Sequence, residues 1–216
     1  MAPKPFSIRP LTLAATAAWV VGLELLAAWW LQRVGGSPLP VMALVRLVQI
    51  LGMIWWVVRL EGSLGPIGWA PGQWGSGLRT GALWSLALGL AALAGLLLLH
   101  WGGQNPLAMI RHPVPAGTWE RPLFFLVGGF IVPLAEEVFF RGIFYTFLRR
   151  WGVVVALVVS TAVFVLLHAV HGIPYTQIAG GVVFALTYER YRNLMVPITI
   201  HAAGNLTIFT LSLLFR

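Results

Sequence analysis

The sequence has no cysteine, no aspartate and a single lysine, and its six acidic residues are all glutamate. Without cysteine there are no disulfides, no thiolate metal ligands and no thiol nucleophile. Without aspartate there is no paired-aspartate chemistry. Charged residues make up 9% of the 216 positions, where a soluble globular domain carries about 25%, so a soluble enzyme is excluded. The thirteen arginines are scattered singly or in pairs. No basic stripe of the nucleic-acid type is present, and the formal charge of +8 is better explained by membrane topology.

What is abundant is apolar: 59% of residues are hydrophobic. Runs of near-spanning length fall at Leu11 to Leu31, Leu39 to Val58, Leu78 to His100, Pro122 to Leu148, Val153 to His168, Ile178 to Tyr188 and Leu194 to Leu214. The pattern predicts an all-α, polytopic membrane bundle of about seven or eight transmembrane helices. A break at Pro133 would give the eighth. Residues 1–216 then form a single transmembrane domain in the lipid bilayer, and the short sixth run is tilted, re-entrant or merged with its neighbours. The first run is too long for a signal-peptide core and reads as a retained helix. Gly62 to Gly77 and Gly102 to Arg121, rich in Gly and Pro, read as extramembrane loops, with Trp69 and Trp74 suited to an interface.

With seven spans and the N-terminus inside, the inner segments hold Lys4, Arg9, Arg59, Arg79, Arg149, Arg150, Arg190 and Arg192. The outer ones hold Arg33, Arg111, Arg121 and Arg216. This excess favours a cytoplasmic N-terminus and an outer C-terminus. A bacterial inner membrane is the expected location.

Ionisable groups at membrane depth cost about 2.5 to 3.5 kcal/mol each on translocon scales, so they are where function is sought. Glu24 and Arg46 stand alone on the first two spans and could pair with each other, a pair for which a structural or assembly role is expected. Pro133 to Arg141, reading PLAEEVFFR, concentrates three charges in an otherwise apolar helix. Glu137 and Arg141, four residues apart, share a face and can neutralise each other. Glu136 points about 100° away and needs its own partner; it is the candidate general base, with Glu137 and Arg141 supporting it. His168 closes Phe164 to His168, and His171 follows. His201 and Asn205 share one face of the last span.

One carboxylate, two imidazoles and an amide from three helices can hold a water and a carbonyl, a hydrolase inventory. Glu136 and His168 would activate the water, while His201 and Asn205 would stabilise the oxyanion formed at a peptide carbonyl. The alternative is a non-catalytic immunity or binding protein, or a proton-coupled carrier using Glu136, His168 and His201 as a relay.

EEVFFR (Glu136 to Arg141), FVLLH (Phe164 to His168) and HAAGN (His201 to Asn205) resemble the EExxxR, FxxxH and HxxxN motifs of the CPBP intramembrane proteases. That family comprises type II CAAX prenyl endopeptidases and the bacterial, bacteriocin-linked Abi relatives. The resemblance covers about residues 118–216, which would be the catalytic core. It implies an intramembrane cavity in which Glu136 and His168 activate water and His201 and Asn205 form the oxyanion site, with Glu137 and Arg141 completing the first motif. No cofactor is favoured, because no carboxylate partner for a ligating histidine stands out. Zinc on Glu136, His168 and His201 is the alternative. An aspartyl pair, an HExxH zinc motif and a rhomboid-like GxSG are all missing, leaving the glutamate reading among membrane proteases. The expected partner is a membrane-associated protein or peptide as substrate, and no nucleic acid; oligomeric state is left open.

Overall fold

The computed structural model describes residues 7–106, 110–168 and 174–215. Lys4, His171 and Arg216 lie outside the described residues. Seven helices succeed one another, and there is no strand among the described residues: α1 (Pro10–Val34), α2 (Pro38–Glu61), α3 (Trp74–Trp101), α4 (Glu120–Trp151), α5 (Val153–Leu166), α6 (Tyr175–Tyr191) and α7 (Met195–Leu214). The expected all-α bundle is present. Prolines in the first turn of α1 and α2 start those helices where an N–H has no partner anyway. Gly35 and Gly62, at φ 74° and 86°, end them and return their N–H to Leu31 and Val58 carbonyls.

The runs holding α1, α2, α3, α4 and α7 are long and apolar enough to cross a membrane. The sixth run is a separate helix, so it is not merged with its neighbours. At 14 and 17 residues, α5 and α6 fall short of the roughly 20 a full crossing needs and pack against one another. Large apolar side chains such as Leu51, Leu98 and Val154 point outward, as a lipid solvent allows.

The fourth run does not break at Pro133. α4 continues from Glu120 to Trp151 by widening into a π-helical stretch over Val127–Ile131 just before the proline, and a second over Val138–Tyr145 just beyond the glutamates. In the first stretch Val132 N–H bonds back five residues to the Val127 carbonyl. The widened turn relieves the clash between the proline ring and the preceding turn. It also leaves Gly128 O facing Pro133, which has no N–H to give.

Gly62 to Gly77 departs from the surface loop expected of it. It forms two short 3-10 turns, and Pro66, Ile67, Gly68 and Trp69 are buried. Ile67 packs in one core with Val57, Val138, Ile143, Tyr188 and Leu194, and Leu194 N–H donates to Gly68 O at 2.8 Å. The loop is therefore a plug under the α6–α7 turn, with Trp74 exposed and Trp69 buried.

The alternation of helices gathers Arg9, Arg59, Arg79, Arg149, Arg150, Arg190 and Arg192 at this same end. Arg9 pairs with Glu61 at 3.2 Å, Arg149 and Arg192 with Glu189 at 2.9 and 2.7 Å. Arg33, Arg111 and Arg121 lie at the other end. Between α1 and α2, the exposed Glu24 pairs with Arg46, and the buried Gln49 joins them: Arg46 donates to Gln49 Oε1 at 2.6 Å and Gln49 Nε2 to Glu24 at 2.9 Å.

α3 approaches α7 through glycine. A Cβ at Gly81 would lie 2.5 Å from Thr199 Cβ and 2.9 Å from Val196 O, whereas one at Gly89, two turns on, would meet nothing within 4 Å. Gly81→Val should therefore destabilise the protein by about 1–3 kcal/mol through overpacking. Gly89→Ala should leave the thermal midpoint in detergent unchanged or slightly raised. Equal midpoints for the two variants would contradict this packing.

Candidate active site

The site is assembled around α4, where one acidic pair serves two purposes. Glu137 is fully buried and faces the bundle interior. One of its oxygens lies 3.3 Å from Arg141 Nε, one turn along the same helix, and the other accepts from His201 Nδ1 at 2.9 Å. Arg141, also fully buried, donates from Nη2 to Gly181 O on α6 at 3.2 Å. Its guanidinium lies 4.7 Å from the Phe164 ring centroid and 5.3 Å from that of Phe184. Arg141 Nε, Arg141 Nη1 and Glu137 Oε2 make no hydrogen bond, so the pair rests on its own charge attraction and on the two hydrogen bonds, to Gly181 O and from His201, that tie α4 to α6 and α7.

Glu136, one residue earlier, turns toward α5 and α7. His168 Nε2 stands 3.6 Å from Glu136 Oε1 and His201 Nε2 stands 3.8 Å from Glu136 Oε2. Both gaps exceed a direct hydrogen bond, and Oε2 is buried without a partner. The partner that the sequence required for Glu136 is thus a pair of imidazoles. Each ring is oriented from its far side. His168 Nδ1 lies 2.7 Å from Phe164 O and, since a carbonyl only accepts, carries a proton. The same reasoning puts a proton on His201 Nδ1, against the Glu137 carboxylate. Although α5 ends at Leu166, that turn keeps His168 in place beyond it.

Asn205, one turn after His201 on α7, donates from Nδ2 to Gly128 O at 2.8 Å. This is the carbonyl stranded between the π stretch and Pro133. The amide is thereby oriented by the irregularity in α4, with one Nδ2 hydrogen still uncommitted. The expected sharing of one oxygen by His201 and Asn205 is open only to that second hydrogen.

The structure thus gathers Glu136, Glu137, Arg141, His168 and His201 in direct contact, and holds Asn205 against the α4 backbone. Sequence reasoning missed Phe184, whose ring stacks on His201 with centroids 4.5 Å apart and planes at 19°. It lies on a helix with no motif and no buried charge. The absence of a carboxylate partner for a ligating histidine was also wrong, because Glu137 is such a partner. Even so, the two Nε2 atoms address different oxygens of Glu136, and among the described residues no three His, Cys, Asp or Glu groups are arranged to hold a metal ion.

Fold and site together define a helical integral membrane protein with a buried carboxylate, imidazole and guanidinium cluster. Residues 118–207 match the family model of the Rce1-like type II CAAX prenyl endopeptidases. That segment contains all three motifs, and the match is consistent with a CPBP family protease. The family points to intramembrane endopeptidase activity. No curated protein matches the chain, and neither does any solved structure.

Removing one member of the Glu137–Arg141 pair leaves an unpaired buried charge. Arg141→Met should cost about 3–5 kcal/mol, read as a large drop in thermal midpoint. The double variant Glu137→Gln, Arg141→Met should recover part of that loss. A double variant less stable than either single one would show that the pair does not act as a unit.

Proposed function

We propose that the protein is an intramembrane endopeptidase of the glutamic type, hydrolysing a peptide bond of a membrane-associated protein or peptide. The observation that carries this reading is Glu136 standing between two imidazole Nε2 atoms at 3.6 and 3.8 Å. That spacing is too wide for direct hydrogen bonds and suited to a bridging water.

In this reading a water held by Glu136 and His168 attacks the scissile carbonyl carbon while its proton passes to the Glu136 carboxylate. The carbonyl oxygen becomes an oxyanion. It is met by the second Nδ2 hydrogen of Asn205 and by Nε2–H of His201. For His201 to donate there while Nδ1 donates to Glu137, the ring carries both protons. Such an imidazolium and Arg141 balance Glu136 and Glu137, leaving a buried set of four charges with no net charge, which the membrane interior favours. Collapse of the intermediate breaks the C–N bond, and Glu136 returns its proton to the leaving nitrogen, restoring the carboxylate.

The arginine-rich end faces the cytoplasm in this proposal, by the positive-inside rule. A carrier or a non-catalytic partner explains the buried charges less well, since neither needs the Asn205 amide aimed by a freed backbone carbonyl.

The test uses protein reconstituted in liposomes with a substrate found by comparing membrane-fraction termini with and without the active chain. Glu136→Gln, checked for normal folding, should lower kcat by about 10²–10⁴, and Asn205→Ala by about 10²–10³. Cleavage should persist in the presence of a zinc chelator. Full activity of Glu136→Gln would refute the enzyme reading, and abolition by chelator with rescue by zinc would refute the glutamic type.

A further inference from the structure

None of the three motif segments lies on α6, yet that helix supplies the flattest contact made to either site histidine. Phe184 lies face to face with His201, centroids 4.5 Å apart and planes inclined by 19°, and is almost wholly buried. Its own position is constrained from below: a Cβ at Gly180 would sit 3.1 Å from the Phe184 ring edge. On another side the Arg141 guanidinium lies 5.3 Å from its centroid, and Arg141 is hydrogen-bonded to Gly181 O of the same helix. Phe164 meets His201 edge-on at 6.2 Å.

His201 has a single hydrogen-bond anchor, through Nδ1 to Glu137. One anchor leaves the ring free to tilt about that bond, and a tilt swings Nε2 away from Glu136. A flat aromatic face removes that freedom.

We propose that Phe184 is a positioning residue, stacking on His201 so that Nε2 is presented to the reacting carbonyl oxygen while Nδ1 stays on Glu137. The catalytic half of this inference rests on the glutamic-protease reading; the geometric half does not.

The test separates the two. In the full-length protein with ¹⁵N-labelled histidine, the hydrogen-bonded Nδ1–H of His201 is assigned by its loss in His201→Gln. In Phe184→Leu, which keeps apolar volume and loses the flat face, that resonance should broaden or shift toward the exposed-imidazole position. In Phe184→Tyr it should remain. In the liposome assay Phe184→Leu should lower kcat about tenfold with KM changed less than about twofold, and Phe184→Tyr should restore most of the rate. Thermal midpoints of both variants show that they are folded. If Phe184→Leu does not fold, Phe184→Met takes its place as the variant without a flat face. An unchanged His201 resonance in the folded variant overturns the inference, as does an unchanged kcat in an enzyme that Glu136→Gln inactivates. If Glu136→Gln retains full activity, the protease reading fails and the resonance alone decides whether Phe184 positions the ring.

Discussion

The arrangement depends on Glu137, a carboxylate with no exposure to solvent or lipid, clamped between a guanidinium and an imidazole. Taken alone, an ionised carboxylate in that setting would cost several kcal/mol after relaxation. Arg141 one turn away offsets part of that cost, but it brings a second buried charge that needs its own contacts. Those contacts are the Gly181 carbonyl and the faces of Phe164 and Phe184. The other oxygen of Glu137 fixes His201. The pair therefore ties α4 to α6 and α7 at the one depth where Glu136, its sequence neighbour, meets His168 and His201.

A second constraint is the backbone of α4 itself. Pro133 removes a donor, the preceding turn widens to accommodate it, and the stranded Gly128 carbonyl is taken up by Asn205. A defect that would weaken an ordinary helix here aims an amide on a neighbouring one. The second π stretch behaves similarly: Thr146 Oγ1 donates to the Arg141 carbonyl at 3.1 Å and meets Tyr188 OH at 2.9 Å, joining α4 to α6 just past the site. Irregular backbone in a membrane protein persists where side chains satisfy the groups it exposes, and both cases conform.

Much of this was legible beforehand because lipid makes charge conspicuous. The spacing of Glu137 and Arg141 forecast their pairing, Glu24 and Arg46 stood out as the lone charges of the first two spans, and the three motifs picked out the acid, the rings and the amide. Hydropathy windows do not register the backbone hydrogen-bond pattern, so Pro133 looked like a possible break rather than the origin of a π stretch. Gly62 to Gly77 looked like surface because its Gly and Pro content resembles a loop; its burial comes from contacts with α4 and α7 far away in the chain. Phe184 carried no signal, since an aromatic on an apolar helix is unremarkable until its neighbour is known. Gln49 joined the Glu24–Arg46 pair for the same reason, its role being visible only across the α1–α2 interface.

The central claim is spatial: α4, α5 and α7 bring Glu136 between His168 and His201 inside the membrane. The absence of cysteine allows a direct measurement free of background, with Glu136→Cys combined in turn with His168→Cys and with His201→Cys and treated in native membranes with a short thiol-specific bifunctional reagent. The account predicts efficient intramolecular cross-linking in both pairs, and none when Glu136→Cys is combined with a lipid-facing control such as Leu98→Cys. Failure of either site pair to cross-link, while both thiols react with a monofunctional probe, would contradict it.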